Sequence, residues 1–429
     1  MLLASASAGG TIAAVRNLGA AGFDVGVMSS GYLSAAAWSV HASRTYPSPP
    51  ETRHREFLAR LLAVGANRPG QILLPTSDQT AWLYTEGATL LDQYFLRYQP
   101  PLTTIQQILD KKLLADAAIS AGLSVLPSWH PQDLAEVANL APSLPYPILI
   151  KPRTHVYRLR NDKGLMARSP SELIAQYRRF VTREHARLHN PLIPNAHLPI
   201  LQQFVDVGSA GVHSVSGFID RTGELFVARH ATKVLQRSRP VGVGVCFESL
   251  PATPALAAAA RKLCSHLSYF GIFEIEFLWF DGRWNIIDFN PRLFSQIGMD
   301  IRRGAPLPLL ACLDAGGERE ALRTAVAEAQ TESDTGRIIF FDRFTLRALL
   351  TAQVLTLQIS REERSYWKAW AKKSGSCSVD FAADASDPRP GIIHALSETY
   401  LGIKAFPRLL RSSSRPLEPV DEVLDKVRL

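Results

Sequence analysis

Four cysteines in 429 residues (Cys246, Cys264, Cys312 and Cys377) fall at no paired spacing and beside no ladder of histidines. That argues against a disulfide framework or a zinc site and leaves reduced thiols. Long apolar runs are also lacking: nothing approaches the ~20 residues that a membrane-spanning helix needs. The apolar start MLLASASAGGTIAAV has no basic stretch of the kind that opens a secretory leader. It runs into a strand-to-helix pattern and is expected to be the first strand of a domain. Gly9 and Gly10 are not followed by G-x-G-x-x-G, so a dinucleotide fingerprint is missing. No internal repeat and no long low-complexity tract occurs. The expectation is a cytoplasmic protein that does not act at a membrane.

Charge of one sign is not concentrated either. Lys and Arg number 47 against 39 Asp and Glu, a net charge of +8, but the basic residues are scattered apart from local clusters such as RLLRSSSR. A solvated surface that favours small anionic ligands fits this better than a nucleic-acid partner. With 46% hydrophobic and 20% charged residues, the chain is long enough for two to four subdomains.

What is present changes character along the chain. Residues 1–100 alternate helix and strand: TIAAVRNLGAAGFDVGVM is a helix ended by Gly22 and then a strand, and QILLP is a strand with the polar tip Thr76, Ser77, Asp78. Such units predict a parallel sheet flanked by helices. ILDKKLLADAAISAG reads as a helix stopped at Gly122, and YPILIKPR as a strand that ends in Lys151. From Leu198 the period becomes two, with LPILQQFV, VHSVSGFI and ELFVARH as antiparallel strands. PALAAAARKLCSHLSYFG is a further helix, and from about residue 335 the chain turns helical and rich in Arg and Trp.

The chemistry concentrates in EIEFLWFDGRWNIIDFNPR, Glu274 to Arg292. Asp281-Gly282 marks a hairpin turn. Phe273, Ile275, Phe277 and Trp279 share one face of the first strand, and Glu274 and Glu276 the other. A regular two-residue loop pairs 280 with 283 and puts Glu276 and Asp288 on opposite sides. A three-residue loop with Gly282 in a G1 bulge pairs 279 with 283 and gathers Glu274, Glu276, Asp288 and Asn290. Acids so crowded repel unless a cation sits among them, so neutralising one would relieve repulsion. Hard oxygen donors without Cys or His suit Mg²⁺ or Mn²⁺ shared with phosphate. A solvated edge hairpin is the alternative reading of the same acids. Arg292, directly behind, can clamp a transferring phosphoryl group.

Lys111, Lys151, the acids, Asn290 and Arg292 together resemble the ATP-grasp superfamily, over roughly the first 70% of the chain and as far as about Gly304. The resemblance implies a mixed α/β fold. It divides into a parallel-sheet pre-ATP-grasp domain over 1–104 and a two-lobed ATP-grasp domain with antiparallel sheets over 105–310 (lid lobe about 124–203, metal lobe about 204–310). A helical C-terminal extension of unread role covers 311–429. Lys111 and Lys151 would contact phosphates. Gln202 would meet the adenine edge, with the backbone of Phe204 and Val205 beside it, and Asp206 is the available group for the ribose. Glu276, Asp288 and Asn290 would hold Mg²⁺ (or Mn²⁺), with Glu274 behind them. Departures are visible. The segment after Lys151 has one glycine, Gly164, so Arg153, Arg158 or Lys163 would serve the lid. KVLQRSRPVGVGVCFESL resembles a loop of carboxylate–amine ligases, where Lys233 would make a further phosphate contact and Arg237 and Arg239 would approach the substrate.

The resemblance implies a reaction: ATP phosphorylates a small-molecule carboxylate, and an amine then displaces the phosphate. Arg292 and Lys233 are the catalytic candidates, and a homodimer is compatible with the extension. Three other readings are weighed. A biotin-dependent carboxylase normally carries a Val-Glu-His-Pro-type run where this chain has LFSQIGMD. Carbamoyl-phosphate synthesis normally needs two grasp copies, and a non-catalytic nucleotide-binding module has no use for an intact metal set.

Overall fold

The structure, a computed structural model, describes residues 1–157, 164–184, 193, 195–208, 211–237, 242–331, 337–355, 359–373 and 375–411. Three sheets organise them. β1 (Leu2–Leu3), β2 (Gly26–Ser29), β3 (Arg44–Pro47), β4 (Gln71–Leu73) and β5 (Phe95–Arg97) form a parallel sheet in the order β3-β2-β1-β4-β5. Crossover helices Gly9–Ala20, His54–Asn67 and Asp78–Glu86 cover it and bury Ile12, Val15, Phe57, Leu61 and Tyr84. The strand order reverses direction between β1 and β4, which opens a crevice at their C-terminal ends. Ser5, Thr76, Ser77 and Asp78 stand there: Ser5 Oγ lies 2.8 Å from Thr76 Oγ1, and Ser5 and Ser77 both donate to Glu51.

After β6 (Ser124–Val125), the strands β7 (Ser128–Trp129), β8 (Ile148–Lys151), β9 (Leu165–Ala167) and β10 (Ile200–Gln203) make a small antiparallel sheet in the order β7-β10-β8-β9. Helices Leu134–Leu140 and Pro170–Glu184 pack on it through Val137, Leu173, Tyr177 and Phe180. The sheet falls in the stretch, about 124–203, that the resemblance assigns to a lid lobe. Gly164 re-enters it with φ +137°, where a Cβ would stand 2.6 Å from the carbonyl oxygen of Ile150, so no larger residue fits without movement.

The third sheet has eight strands. β11 (Val212–Ile219), β12 (Phe226–Arg237), β13 (Val243–Leu250), β14 (Gly271–Phe280) and β15 (Arg283–Asn290) are antiparallel, β6 adds to one edge, and β16 (Ile339–Phe341) and β17 (Ser378–Asp380) add to the other. Alternation along β14 divides its residues as the sequence requires. Phe273, Ile275 and Phe277 are buried against Leu256, Ala260 and Leu263 of helix Pro254–His266. Each such side chain contributes about 1.5–3 kcal/mol, which offsets the cost of lining the opposite face with carboxylates. Trp279, at the hairpin tip, is half exposed instead.

Two sequence expectations are corrected. The extension is largely helical, but β16 and β17 carry it into the eight-stranded sheet. Its Trp367 and Trp370 pack with Val234, Cys246, Ile339 and Phe341, on the face away from the acids. The stretch around Lys233 and Cys246 is no loop: it forms the long antiparallel pair β12–β13, with residues 238–241 outside the described set. Arg158, Lys163, Arg239 and the side chain of Arg237 also lie outside it.

Candidate active site

The hairpin gathers its acids by a route that the sequence did not indicate. Phe280 pairs with Arg283, so the loop has two residues, and both are left-handed: Asp281 at φ 52° and Gly282 at φ 70°. That is the signature of a type I′ turn. Left alone, this register would put Glu276 and Asp288 on opposite faces. One extra residue in β15 corrects it: Phe277 pairs with Ile286 but Glu276 with Asp288, leaving Ile287 as a bulge. Beyond it Glu274 pairs with Asn290, and all four polar residues share a face. The G1-bulge reading is therefore wrong in place, although the gathering it was invoked for is present.

Cations meet this face from two elements. Lys111 opens the helix Lys111–Ser120, and its Nζ lies 2.7 Å from Asp288 Oδ1. Lys233 on β12 places its Nζ 2.7 Å from Glu276 Oε1. Burial works against both ammonium charges, but the facing carboxylates outweigh it and leave each pKa above its ordinary value. Glu274 has no lysine in direct contact among the described residues. Burial, and then the charge of Glu276, push its carboxyl up to about 7, and the nearby charge of Lys233 only partly offsets them.

Arg292 is held on three sides: Nε donates to Asp78 Oδ1 at 2.7 Å, Nη2 to Asn290 Oδ1 at 2.8 Å and Nη1 to the Leu293 carbonyl at 3.0 Å. Burial raises the Asp78 pKa, but the charges of Arg292 and His155 more than compensate and hold it low. Asp78 begins the helix Asp78–Glu86, so the parallel-sheet domain grips the end of β15 through this pair.

The small antiparallel sheet contributes a second group. Lys151 Nζ donates to Gln202 Oε1 at 3.2 Å, and Gln202 Nε2 donates to Ser128 Oγ at 3.2 Å. Lys111, Lys151, Gln202, Ser128, Val125 and Ile286 line a narrow cleft between the small antiparallel sheet and the eight-stranded sheet. The Phe204 N–H donates to the Pro147 carbonyl at 3.0 Å, so only its carbonyl remains for a ligand. Val205 is partly buried next to it. Asp206 is exposed, and its Oδ1 accepts from Gly208 N at 3.2 Å. Arg153 is not a lid cation: its Nε is 2.6 Å from Asp110 Oδ2, and Asp110 caps the helix that Lys111 begins. Arg153 thus fixes the start of that helix instead of reaching for a phosphate.

Sequence reading missed three contributors. Asp78 was visible as a polar strand tip but not as the partner of Arg292. Gln296 donates to Glu274 and comes from a turn with no local signal. Ser214 lies opposite Glu276 on the same face, and its buried hydroxyl has no hydrogen-bond partner among the described residues.

The donor set suits Mg²⁺ shared with a nucleotide. Two carboxylates and an amide oxygen share a face beside an orphaned hydroxyl, and two lysines already supply compensating charge there. Among the described residues, no three His, Cys, Asp or Glu side chains gather as a self-sufficient metal cage. Two protein carboxylates completed by phosphate oxygens is the usual Mg²⁺ pattern.

No protein-family model matches the sequence, and no curated protein matches it. Solved structures do. The biotin carboxylase domain of 2-oxoglutarate carboxylase from Hydrogenobacter thermophilus, in complex with MgADP, ADP and bicarbonate, superposes with a TM-score of 0.60 at 14% identity, over 74% of this chain and 69% of that one. A variant of Rhizobium etli pyruvate carboxylase with the activator acetyl coenzyme A gives 0.59 at 18% identity, over 79% of this chain and 32% of that one. Biotin carboxylase domains are members of the ATP-grasp superfamily, and the chain has the ATP-grasp fold. Its α/β class, with one parallel sheet and two largely antiparallel ones, is the one the sequence implied. Among the described residues, no helix is long and apolar enough to cross a membrane.

Proposed function

We propose that this protein is an ATP- and Mg²⁺-dependent, ADP-forming ligase that joins a small carboxylate to an amine. The observation that carries the reading is the opposed pair Glu276 and Asp288, each matched by a lysine at 2.7 Å, with Arg292 fixed two residues beyond Asn290. Support for the nucleotide comes from the fold likeness to a carboxylase domain that binds MgADP.

Phosphoryl transfer needs positioned positive charge more than an acid–base pair. Lys111 and Lys151 would hold nucleotide phosphates at the two sides of the cleft. Glu276, Asp288 and Asn290 would hold Mg²⁺, which when bound neutralises phosphoryl oxygens. Arg292 and Lys233 would orient the carboxylate and the phosphoryl group it receives. A carboxylate oxygen attacks the γ-phosphorus and ADP leaves. The amine nitrogen then attacks the acyl carbon, phosphate departs with the bridging oxygen, and the nitrogen gives up a proton.

A bicarbonate-phosphorylating carboxylase is the second reading, favoured by the same neighbours. Against it stands the segment after Arg292. Leu293, Phe294 and Ile297 there are core residues, and Gln296 is committed to Glu274. The deciding experiment incubates the protein with ATP and Mg²⁺ against panels of acids and amines, and in parallel against bicarbonate with biotin. ADP and phosphate that depend on an acid–amine pair support the ligase. ADP that depends on bicarbonate and biotin transfers the assignment to the carboxylase, and AMP with pyrophosphate rejects both.

A further inference from the structure

Glu274 is only 5% exposed, and both of its oxygens accept hydrogen bonds. Oε1 takes Gln296 Nε2, and Oε2 takes Asn290 Nδ2 at 3.1 Å. An amide has one donor end and one acceptor end, so committing Nδ2 to Glu274 turns Asn290 Oδ1 the other way. That oxygen receives Arg292 Nη2 at 2.8 Å, and Arg292 continues to Asp78 at 2.7 Å. Along Gln296–Glu274–Asn290–Arg292–Asp78, donation therefore starts at Arg292, which gives to Asn290 and to Asp78, and converges on Glu274, which takes from the amides of both Asn290 and Gln296.

We infer that Glu274 is a positioning residue. By accepting from both Gln296 and Asn290, it fixes which end of the Asn290 amide faces Arg292 and the metal face. The inference rests on the proposed nucleotide site but assigns a role to residues outside the ligand set. A carboxylate at 274 accepts from both amides without either one turning, whereas glutamine offers one acceptor and one donor. Glu274→Gln would point an NH₂ group at either Gln296 Nε2 or Asn290 Nδ2. If Asn290 turns to escape it, its own NH₂ faces Arg292, and the oxygen is lost from the metal face.

The test is calorimetric titration of ADP at a series of Mg²⁺ concentrations and without Mg²⁺. Glu274→Gln should raise the Mg²⁺ concentration for half-maximal binding by about tenfold, the worth of one hydrogen bond to a charged group, and leave Mg²⁺-free binding within about twofold. Gln296→Leu keeps the Glu274 charge but releases one side of its grip, and should raise the same midpoint several-fold. The exchange Glu274→Gln with Gln296→Glu reverses the 274–296 hydrogen bond but leaves the oxygen of residue 274 free to accept from Asn290, and should return the midpoint to within about threefold of the parent. An unchanged midpoint in Glu274→Gln overturns the inference. So does an unchanged midpoint in Gln296→Leu, which would leave Glu274 acting by charge alone, and so does failure of the exchange to restore. A parent protein without Mg²⁺-dependent ADP binding overturns the proposed function itself, a result distinct from these.

Discussion

Replacing Asp288 by asparagine separates the metal role from the structural one. Asp288 is paired with Lys111 at 2.7 Å, and the two side chains are 22% and 10% exposed. Breaking a fully buried pair costs about 3–5 kcal/mol. Partial exposure and the remaining Asn carbonyl reduce this, so about 1–3 kcal/mol is expected, or a Tm lower by a few degrees. Removing both partners should cost less than removing Asp288 alone, because Lys111→Met with Asp288→Asn strands no charge. Turnover should respond far more. A poorly held metal forfeits several kcal/mol of transition-state stabilisation, a fall of about a hundredfold or greater in rate. Glu276→Gln should behave alike without adding to it, since both report on one cluster. The assay is ADP release at saturating Mg²⁺ beside a thermal melt of each variant. Near-parental turnover in both would refute the reasoning and leave the acids as partners of lysines only.

Three further outcomes follow from particular contacts. Lys151→Ala should weaken ATP binding roughly ten- to a hundredfold by calorimetry, because a charge-assisted phosphate contact is lost from the lid side of the cleft. Gly282→Val meets no neighbour but forces a branched residue to φ 70°, so it should cost about 1–3 kcal/mol in a denaturant melt; because the Ile287 bulge sets the acids' register, activity per folded molecule should persist. The buried pair His394–Asp342 at 2.7 Å should give a pH-limited contribution to stability. Burial opposes the imidazolium, but the hydrogen bond and charge of Asp342 raise the His394 pKa above 6.5. Burial likewise opposes the Asp342 carboxylate, yet His394 and Thr345 lower its pKa below 3.8. The pair's contribution is thus complete between those ordinary values. It is lost as pH rises through the folded His394 pKa or falls through the folded Asp342 pKa. Melts of His394→Asn and the parent across pH should differ most inside that window and converge outside it.

Much of the site was legible because it is local. Strand period two divides Phe273, Ile275 and Phe277 from Glu274 and Glu276, and this needs nothing beyond the hairpin itself. The bulge at Ile287 was not legible: no residue type announces it, and only pairing against β14 shows it. Charge compensation was also hidden. Read alone, the acids repel, which made neutralising Asp288 neutral or slightly stabilising. Lys111, 177 positions away, reverses that sign. Arg153 looked available for a phosphate until Asp110 took it. β16 and β17 escaped notice because three residues each, in an otherwise helical segment, leave no periodic signal.

The central claim is that a carboxylate oxygen attacks the γ-phosphorus within this cluster, and an isotope reports on it directly. Once the acid–amine screen yields a substrate pair, the acid is supplied with ¹⁸O in its carboxylate and the released phosphate is read by ³¹P NMR. Transfer through an acyl-phosphate leaves the bridging oxygen on phosphorus, so phosphate carrying one ¹⁸O is the expected product. Unlabelled phosphate, or label found in AMP, would contradict the account.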